Sequence, residues 1–424
     1  MALYNGLLFA ASPLIRCHMD GRLARGKEDA ARIGERYGTA SLSRPEGELV
    51  WIHAASVGEA VSALTLVDRL IAGSPARHIL VTTGTRTSAN IMQARLPAAA
   101  CHQFIPIDRK LAVVRFLDHW RPDIAIWMES EIWPNLITET SARRIPMMMV
   151  NARIAEKSYN LWRKSLGFSR QLLGRFDYCT AQSEASAQRL RALGADPVEY
   201  LGNLKFSADP LPVDAQVLAG MEQQMAGRPL WLAASTHDGE EAVVADAHAR
   251  LQQTFPDLLT IIVPRHPDRG NEVAAMLAVR GLDVATRSRG DVITAKTEIY
   301  LADTIGELGL FYRLARIVCV GGSFADKGGQ NPIEAARLGC VILHGPHMEN
   351  FADVITAFEE NAATEEVADA VELARAVSTY FADDPRAELM VNNAAAVVTR
   401  GQETLDKTVA RIEGFLNGGG RENA

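Results

Sequence analysis

The chain has 424 residues, 44 Lys and Arg against 51 Asp and Glu, a formal net charge of −7 and 48% hydrophobic residues. That length predicts two domains rather than one, and the mild acidity argues against a general nucleic-acid binder, which is usually basic. The five cysteines (Cys17, Cys101, Cys179, Cys319, Cys340) form no C-x-x-C pair, so they read as reduced thiols of a cytoplasmic protein and not as a disulfide framework.

The N-terminal run M-A-L-Y-N-G-L-L-F-A-A-S-P-L-I-R is apolar but shorter than the roughly 20 residues that a membrane-spanning helix needs. No basic residue precedes it, so it makes a poor signal peptide. Arg16, Arg22, Arg25, Lys27, Arg32 and Arg36 follow. An apolar segment beside arginines suits a membrane interface with anionic lipid. It equally suits a helix packed on the domain with a solvated charged face.

Short apolar runs then alternate with amphipathic stretches. Strands are predicted at 49–54, 78–83, 102–106, 123–128, 146–151, 178–182 and 199–202, with helical segments such as 60–72 and 186–193 between them. The runs are near-continuously apolar, as in parallel strands covered on both faces. The segment S-A-D-P-L-P-V, Ser207–Val213, reads as a linker. The pattern restarts beyond it, with strands predicted at 229–234, 259–264, 283–286, 298–302, 317–321 and 341–344. The expectation is an α/β protein of two doubly wound domains facing across a cleft.

Several motifs end these strands. Ser56-Val57-Gly58-Glu59 matches a capping box, in which serine and glutamate satisfy helix N-terminal amides. A carboxylate at the C-terminal end of a parallel strand also faces the ligand crevice of α/β proteins, and Glu59 suits a general base for an alcohol nucleophile. Glu129 and Glu131, in W-M-E-S-E-I-W-P-N, stand at another such strand end, or form a charged loop tip before a helix with Pro134 near its start. Lys205, in G-N-L-K-F, reads by itself as a surface charge. Arg265, in P-R-H-P-D-R, is either a phosphate ligand, because a guanidinium pairs bidentately with phosphate, or a loop arginine on a helix C-terminus. Ser235-Thr236-His237-Asp238-Gly239-Glu240 opens a further helix with a capping pattern.

The stretch from Asp303 to Phe351 is the most distinctive. It reads D-T-I-G-E-L-G-L, R-I-V-C-V-G-G-S-F, K-G-G-Q-N-P-I-E-A-A-R-L-G and G-P-H-M-E-N-F. Two strands feed glycine-rich turns whose backbone N–H groups favour anions, and the glycines permit close approach. Gly328, Gly329, Asn331, Pro332 and Glu334 look like a nucleotide pocket. Glu334 suits ribose hydroxyls, which donate to a carboxylate. Glu307 reads either as a pocket residue or as a first-turn glutamate on a helix dipole.

Taken together, W-I-H-A-A-S-V-G-E-A, M-E-S-E-I-W-P-N, G-N-L-K-F, P-R-H-P-D-R and N-P-I-E resemble the motifs of 3-deoxy-D-manno-octulosonic acid (Kdo) transferases, in the family's order, from about Gly34 to Phe351. The resemblance implies a GT-B fold of two Rossmann-like domains. It implies a membrane-associating segment at 1–20, an acceptor-binding domain at 21–206, a CMP-Kdo-binding domain at 207–400, and a C-terminal helix at 401–424 returning to the first domain. It implies an inverting transfer of Kdo from CMP-Kdo to a lipid A precursor at the cytoplasmic face of the inner membrane. Glu59 is then the base, Glu129 a transition-state or acceptor ligand, and Lys205 a catalytic cation. Pro264, Arg265, Gly306, Glu307, Leu308, Asn331, Pro332, Ile333 and Glu334 hold the CMP moiety. Thr83–Thr87 becomes a candidate for an acceptor phosphate. With no D-x-D pair and no zinc-type cluster in the sequence, no metal and no cofactor are expected. The alternatives are a GT-B relative using another nucleotide sugar, a sugar epimerase, and a non-catalytic nucleotide or lipid A binding protein.

Overall fold

The structure, a computed structural model, describes residues 1–129, 131–207, 209–225 and 227–418. Ser130 of the M-E-S-E motif, Ala208 of the expected linker and the last six residues of the expected C-terminal helix lie outside that set.

The chain divides into two compact units, Met1–Ala208 with Gly401–Ala424, and Asp209–Arg400. The first holds β1 (Leu49–Ala54), β2 (His78–Thr83), β3 (Ala100–Phe104), β4 (Ile124–Met128), β5 (Met147–Ala152), β6 (Tyr178–Ala181) and β7 (Val198–Tyr200). The second holds β8 (Leu230–Thr236), β9 (Leu259–Pro264), β10 (Val284–Thr286), β11 (Ile299–Leu301), β12 (Ile317–Val320), β13 (Val341–His344) and β14 (Glu365–Glu366). Among the described residues each unit forms one seven-stranded sheet, ordered β3-β2-β1-β4-β5-β6-β7 and β10-β11-β9-β8-β12-β13-β14. The pairings are parallel throughout.

β1 shows why the apolar runs are continuous. Leu49 and Trp51 face one core, where Trp51 meets Phe116 and Trp127 edge-on or tilted at 4.9 Å. Val50, Ile52 and Ala54 face the other, with Leu66, Val67 and Leu70 of the helix Val57–Gly73. Both faces of the sheet are covered, so the period-2 alternation of a half-exposed strand is absent. Each large side chain buried this way contributes about 1.5–3 kcal/mol.

Each sheet reverses direction once from its first strand. β1 lies between β2 and β4, and β8 between β9 and β12. In open parallel sheets such a switch point leaves a crevice at the C-terminal strand ends, where ligands bind. β1 and β4 run side by side up to His53 and Trp127, so the segments carrying Glu59 and Glu129 leave the sheet as neighbours.

Two differences from the sequence reading have local causes. β3 begins at Ala100 rather than His102 because Ala100 and Cys101 pair with Ile79 and Leu80 of β2. β14, only two residues of glutamate, has no apolar signal and exists through its pairing with β13.

The N-terminal run forms the helices Ala2–Ala10 and Ser12–Ala24, with Pro13 in the first turn of the second. Met1 packs on the core, and Tyr4 donates to Asp108 Oδ2 at 2.9 Å. Asp108 also accepts from the backbone N–H groups of Asn135 and Leu136, and burial pushes its carboxyl up to about 6. Leu3, Leu7, Phe9 and Leu14 are left exposed. Among the described residues no helix is long and apolar enough to cross a membrane.

The last helix runs Asp384–Leu416. Its Leu405 and Ile412 are buried in the same core as Val50 and Ile52, and Arg77 pairs with Glu413 at 2.8 Å.

Candidate active site

In the first unit Ser56 and Glu59 form a variant of the capping box, in which the glutamate reaches one residue beyond the N-cap. Ser56 Oγ accepts from the Glu59 N–H at 3.3 Å, and Glu59 Oε2 accepts from the Ala55 N–H at 2.7 Å. The carboxylate is thereby fixed at the end of β1, only 7% exposed. Burial, and then the negative charge of Glu129, push its pKa up to about 7, against smaller lowering by Ser56 and Ala55. The capping role and the basic role are compatible: one geometry holds the side chain and tunes it.

Glu129 directly follows β4 with φ 56°, a left-handed backbone uncommon outside glycine and asparagine. The turn swings it out of the strand, and its Oε1 lies 3.3 Å from Lys205 Nζ. Lys205 is therefore not the lone surface charge its sequence context suggested. Glu131 takes another course. Its Oε2 accepts from Trp133 Nε1 at 2.8 Å, and burial raises its pKa. Of the acceptor-phosphate candidates, Thr85 caps the helix Arg86–Arg95 by accepting from Ser88 N, and Arg86 donates to the Gly26 carbonyl.

The second unit contains a cavity of about 280 Å³ lined by Leu211, Pro212, Ser235, Arg265, Gly306, Leu308, Gly309, Tyr312, Gln330, Asn331 and Glu334. Five of the nine expected nucleotide ligands line it: Arg265, Gly306, Leu308, Asn331 and Glu334. Pro264, Glu307, Pro332 and Ile333 are not among the lining residues. Glu307 instead pairs with Arg287 at 2.6 Å, and that hydrogen-bonded partner holds its carboxyl below the usual range. Pro332 and Ile333 are buried beneath the turn.

Asn331 closes a small ring: Oδ1 accepts from Ile333 N at 3.1 Å, and Nδ2 donates to Glu334 Oε1 at 3.2 Å. Arg265 is exposed, and among the described residues its guanidinium has no hydrogen-bond or ion-pair partner. An unpaired guanidinium at a cavity wall suits an anionic ligand.

The glycine-rich turn is held from below by Glu240, which is 2% exposed. Its Oε2 accepts from Gly322 N at 2.7 Å and His237 N at 2.8 Å. Its Oε1 accepts from Phe324 N at 2.8 Å and Ala325 N at 3.2 Å. The glycines are required here. A β-carbon at Gly321 would stand 2.5 Å from the Ser235 carbonyl oxygen, and Gly329 has φ +77°.

Sequence reasoning missed the lining roles of Leu211, Pro212, Ser235, Gly309, Tyr312 and Gln330. Leu211 and Pro212 belong to the segment that reads as a linker. Ser235, Gly309 and Gln330 do lie inside singled-out motifs, and that was the available signal.

Two seven-stranded parallel sheets, each interleaved with helices, define an α/β protein of the GT-B fold. The UDP-GlcNAc 2-epimerase of Neisseria meningitidis, solved bound to UDP-GlcNAc, shares the fold with a TM-score of 0.57 at 13% identity, covering 86% of this chain and 99% of that one. The family model described as 3-deoxy-D-manno-octulosonic-acid transferase matches residues 31–208. The 3-deoxy-D-manno-octulosonic acid transferase of Rickettsia bellii is 34% identical over 98% of this chain and all of its own length. That of Haemophilus influenzae is 32% identical over 97% of this chain and 98% of its own. The chain belongs to the 3-deoxy-D-manno-octulosonic acid transferase family, and its reaction class is Kdo transfer in lipopolysaccharide biosynthesis.

Proposed function

We propose that this enzyme transfers Kdo from CMP-Kdo to a hydroxyl of a lipid A precursor with inversion at the anomeric carbon. Glu59 takes the proton of the acceptor hydroxyl. The oxygen attacks the anomeric carbon from the face opposite the nucleotide, and the bond from that carbon to the phosphate oxygen breaks, releasing CMP. Lys205 offsets negative charge on the phosphate as it leaves or on the Kdo carboxylate, and Glu129 holds Lys205 and orients the acceptor. Arg265 takes the phosphate of CMP, and Glu334 its ribose hydroxyls.

The observation that carries this reading is the state of Glu59. A carboxylate on a helix cap, raised to about 7 by burial beside Glu129, is matched to proton abstraction near neutral pH. The exposed Leu3, Leu7, Phe9 and Leu14, followed by Arg16, Arg22 and Arg25, support docking of the N-terminal helices at an anionic membrane surface, the cytoplasmic face of the inner membrane.

The test mixes purified full-length protein with freshly generated CMP-Kdo and tetra-acylated lipid A precursor, and weighs the products by mass spectrometry. A product heavier by one or more Kdo residues is expected. No transfer from CMP-Kdo, but transfer from a UDP-sugar, sinks the proposal.

A further inference from the structure

We propose that Asn151 is a positioning residue for the Glu129–Lys205 pair, an inference that rests on the reading of that pair as catalytic.

Asn151 sits where β5 gains a residue. The pairing with β6 shifts register between Met149 and Ala152, and Asn151 absorbs the extra residue with φ 57°. Asparagine tolerates that left-handed region better than most side chains. Its backbone N–H leaves the ladder and donates to Thr180 Oγ1 at 3.0 Å. Its side-chain Oδ1 accepts from the Leu204 N–H at 2.9 Å. Only the oxygen of the amide accepts, so this bond fixes which way the group faces.

Leu204 opens the short turn Leu204–Ser207 that carries Lys205. Within the turn Lys205 N donates to Asn203 Oδ1 at 3.0 Å. Val150, the residue before Asn151, accepts from the Glu129 N–H at 2.8 Å. Adjacent residues of one bulge thus hold the backbones of both partners, whose side chains meet at 3.3 Å. A displaced bulge would move the lysine relative to the glutamate.

The amide itself carries a second clue. Asn151 is 1% exposed, and its Nδ2 has no hydrogen-bond partner among the described residues. An aspartate would supply the same acceptor and the same left-handed tolerance without that orphan donor. Neutrality is what the amide adds. A carboxylate here would put a negative charge against the turn that carries Lys205 and next to the residue whose carbonyl holds Glu129.

The test is steady-state kinetics on the full chain with CMP-Kdo and tetra-acylated lipid A precursor, alongside melting curves. Asn151→Gly keeps the backbone geometry and removes the acceptor. Its kcat should fall about 10- to 100-fold with both KM values within about twofold, since misplacement by roughly 1 Å costs that much. Asn151→Asp should recover part of that kcat at alkaline pH while its acid limb moves to higher pH. Lys205→Ala with Asn151→Gly should be no slower than Lys205→Ala alone, because residues acting through one another are not additive. Wild-type kcat in Asn151→Gly, or an additive loss in the double variant, overturns the inference. Should Asn151→Gly fail to fold, Asn151→Asp carries the test, and wild-type kcat with an unmoved acid limb overturns it. If Lys205→Ala is fully active, the reading of the pair fails. If Lys205→Ala is crippled and the Asn151 variants are not, only the role of Asn151 fails.

Discussion

Lys205 Nζ stands 3.3 Å from Glu129 Oε1, with the two side chains 24% and 18% exposed. The lysine comes from a turn after β7 and the glutamate from the end of β4, so the pair exists only because the sheet gathers them. Glu129 is also the second cause, after burial, of the raised pKa of Glu59. Glu129 thus touches Lys205 and acts electrostatically on Glu59, so changes at the pair should be felt at Glu59.

Glu59 must be ionised to accept a proton, so the rate should rise with pH through about 7. Glu59→Gln should lower kcat by about 10²- to 10⁴-fold, the usual range for a lost general base, with CMP binding by calorimetry unchanged. The linkage runs the other way for stability. A carboxyl whose folded pKa lies above its unfolded value binds more protons when folded, so it costs stability as pH rises from about 4.5 to about 7. Glu59→Gln should therefore melt higher than wild type above pH 7, by roughly 2–4 °C for each kcal/mol relieved. A melting point unchanged at pH 8, or an unshifted kcat, would contradict the assignment.

Glu129→Gln and Lys205→Ala should each lower kcat by about 10²- to 10³-fold, as when a transition-state charge contact is removed. Their pH profiles should part. Removing the negative charge of Glu129 lowers the Glu59 pKa and moves the acid limb down. Removing the cation that offsets Glu129 moves it up. Profiles shifting in the same direction would show that the three groups are not coupled as described.

Arg265→Ala removes an unpaired guanidinium from the cavity wall, so it should weaken CMP binding about 10- to 100-fold, equivalent to a charge-assisted hydrogen bond of about 1.5–3 kcal/mol, without lowering the melting temperature. Glu334→Ala should erase any preference for CMP over its 2′,3′-dideoxy analogue. Titration calorimetry reads both, and a wild-type affinity in Arg265→Ala would remove it from the phosphate site.

Glu240→Gln replaces one acceptor oxygen by a donor under the turn that begins at Gly322. Glu240 now accepts four backbone N–H bonds, so the variant leaves two of them unmet in a buried place. The expected cost is about 2–6 kcal/mol, at about 1–3 kcal/mol per orphaned group, together with weaker CMP binding. Chemical denaturation measures the first and calorimetry the second. A variant as stable as wild type would show that the turn is held by other contacts.

Leu3, Leu7 and Phe9 changed together to Ser should release the protein from vesicles containing anionic lipid in a sedimentation assay, while activity on a detergent-dispersed short-chain acceptor persists. Undiminished binding would assign membrane contact to another surface.

The strands were legible in the sequence because parallel strands buried on both faces leave uninterrupted apolar runs. β1, β2, β9 and β13 occupy the residues that their runs predict. The helix cap at Ser56–Glu59 and the glycine-rich turn after β12 were equally plain, because caps and tight turns depend on neighbours within a few residues. Strand order is different. It puts β1 beside β4 and β8 beside β12, and no local periodicity encodes which distant run pairs with which. Hence the Lys205–Glu129 contact, the Gly322, Phe324 and Ala325 amides on Glu240 and the bond from Asn151 to Leu204 were invisible in one dimension. Each joins segments far apart in sequence, and such contacts are decided by how buried faces fit once the sheets have formed.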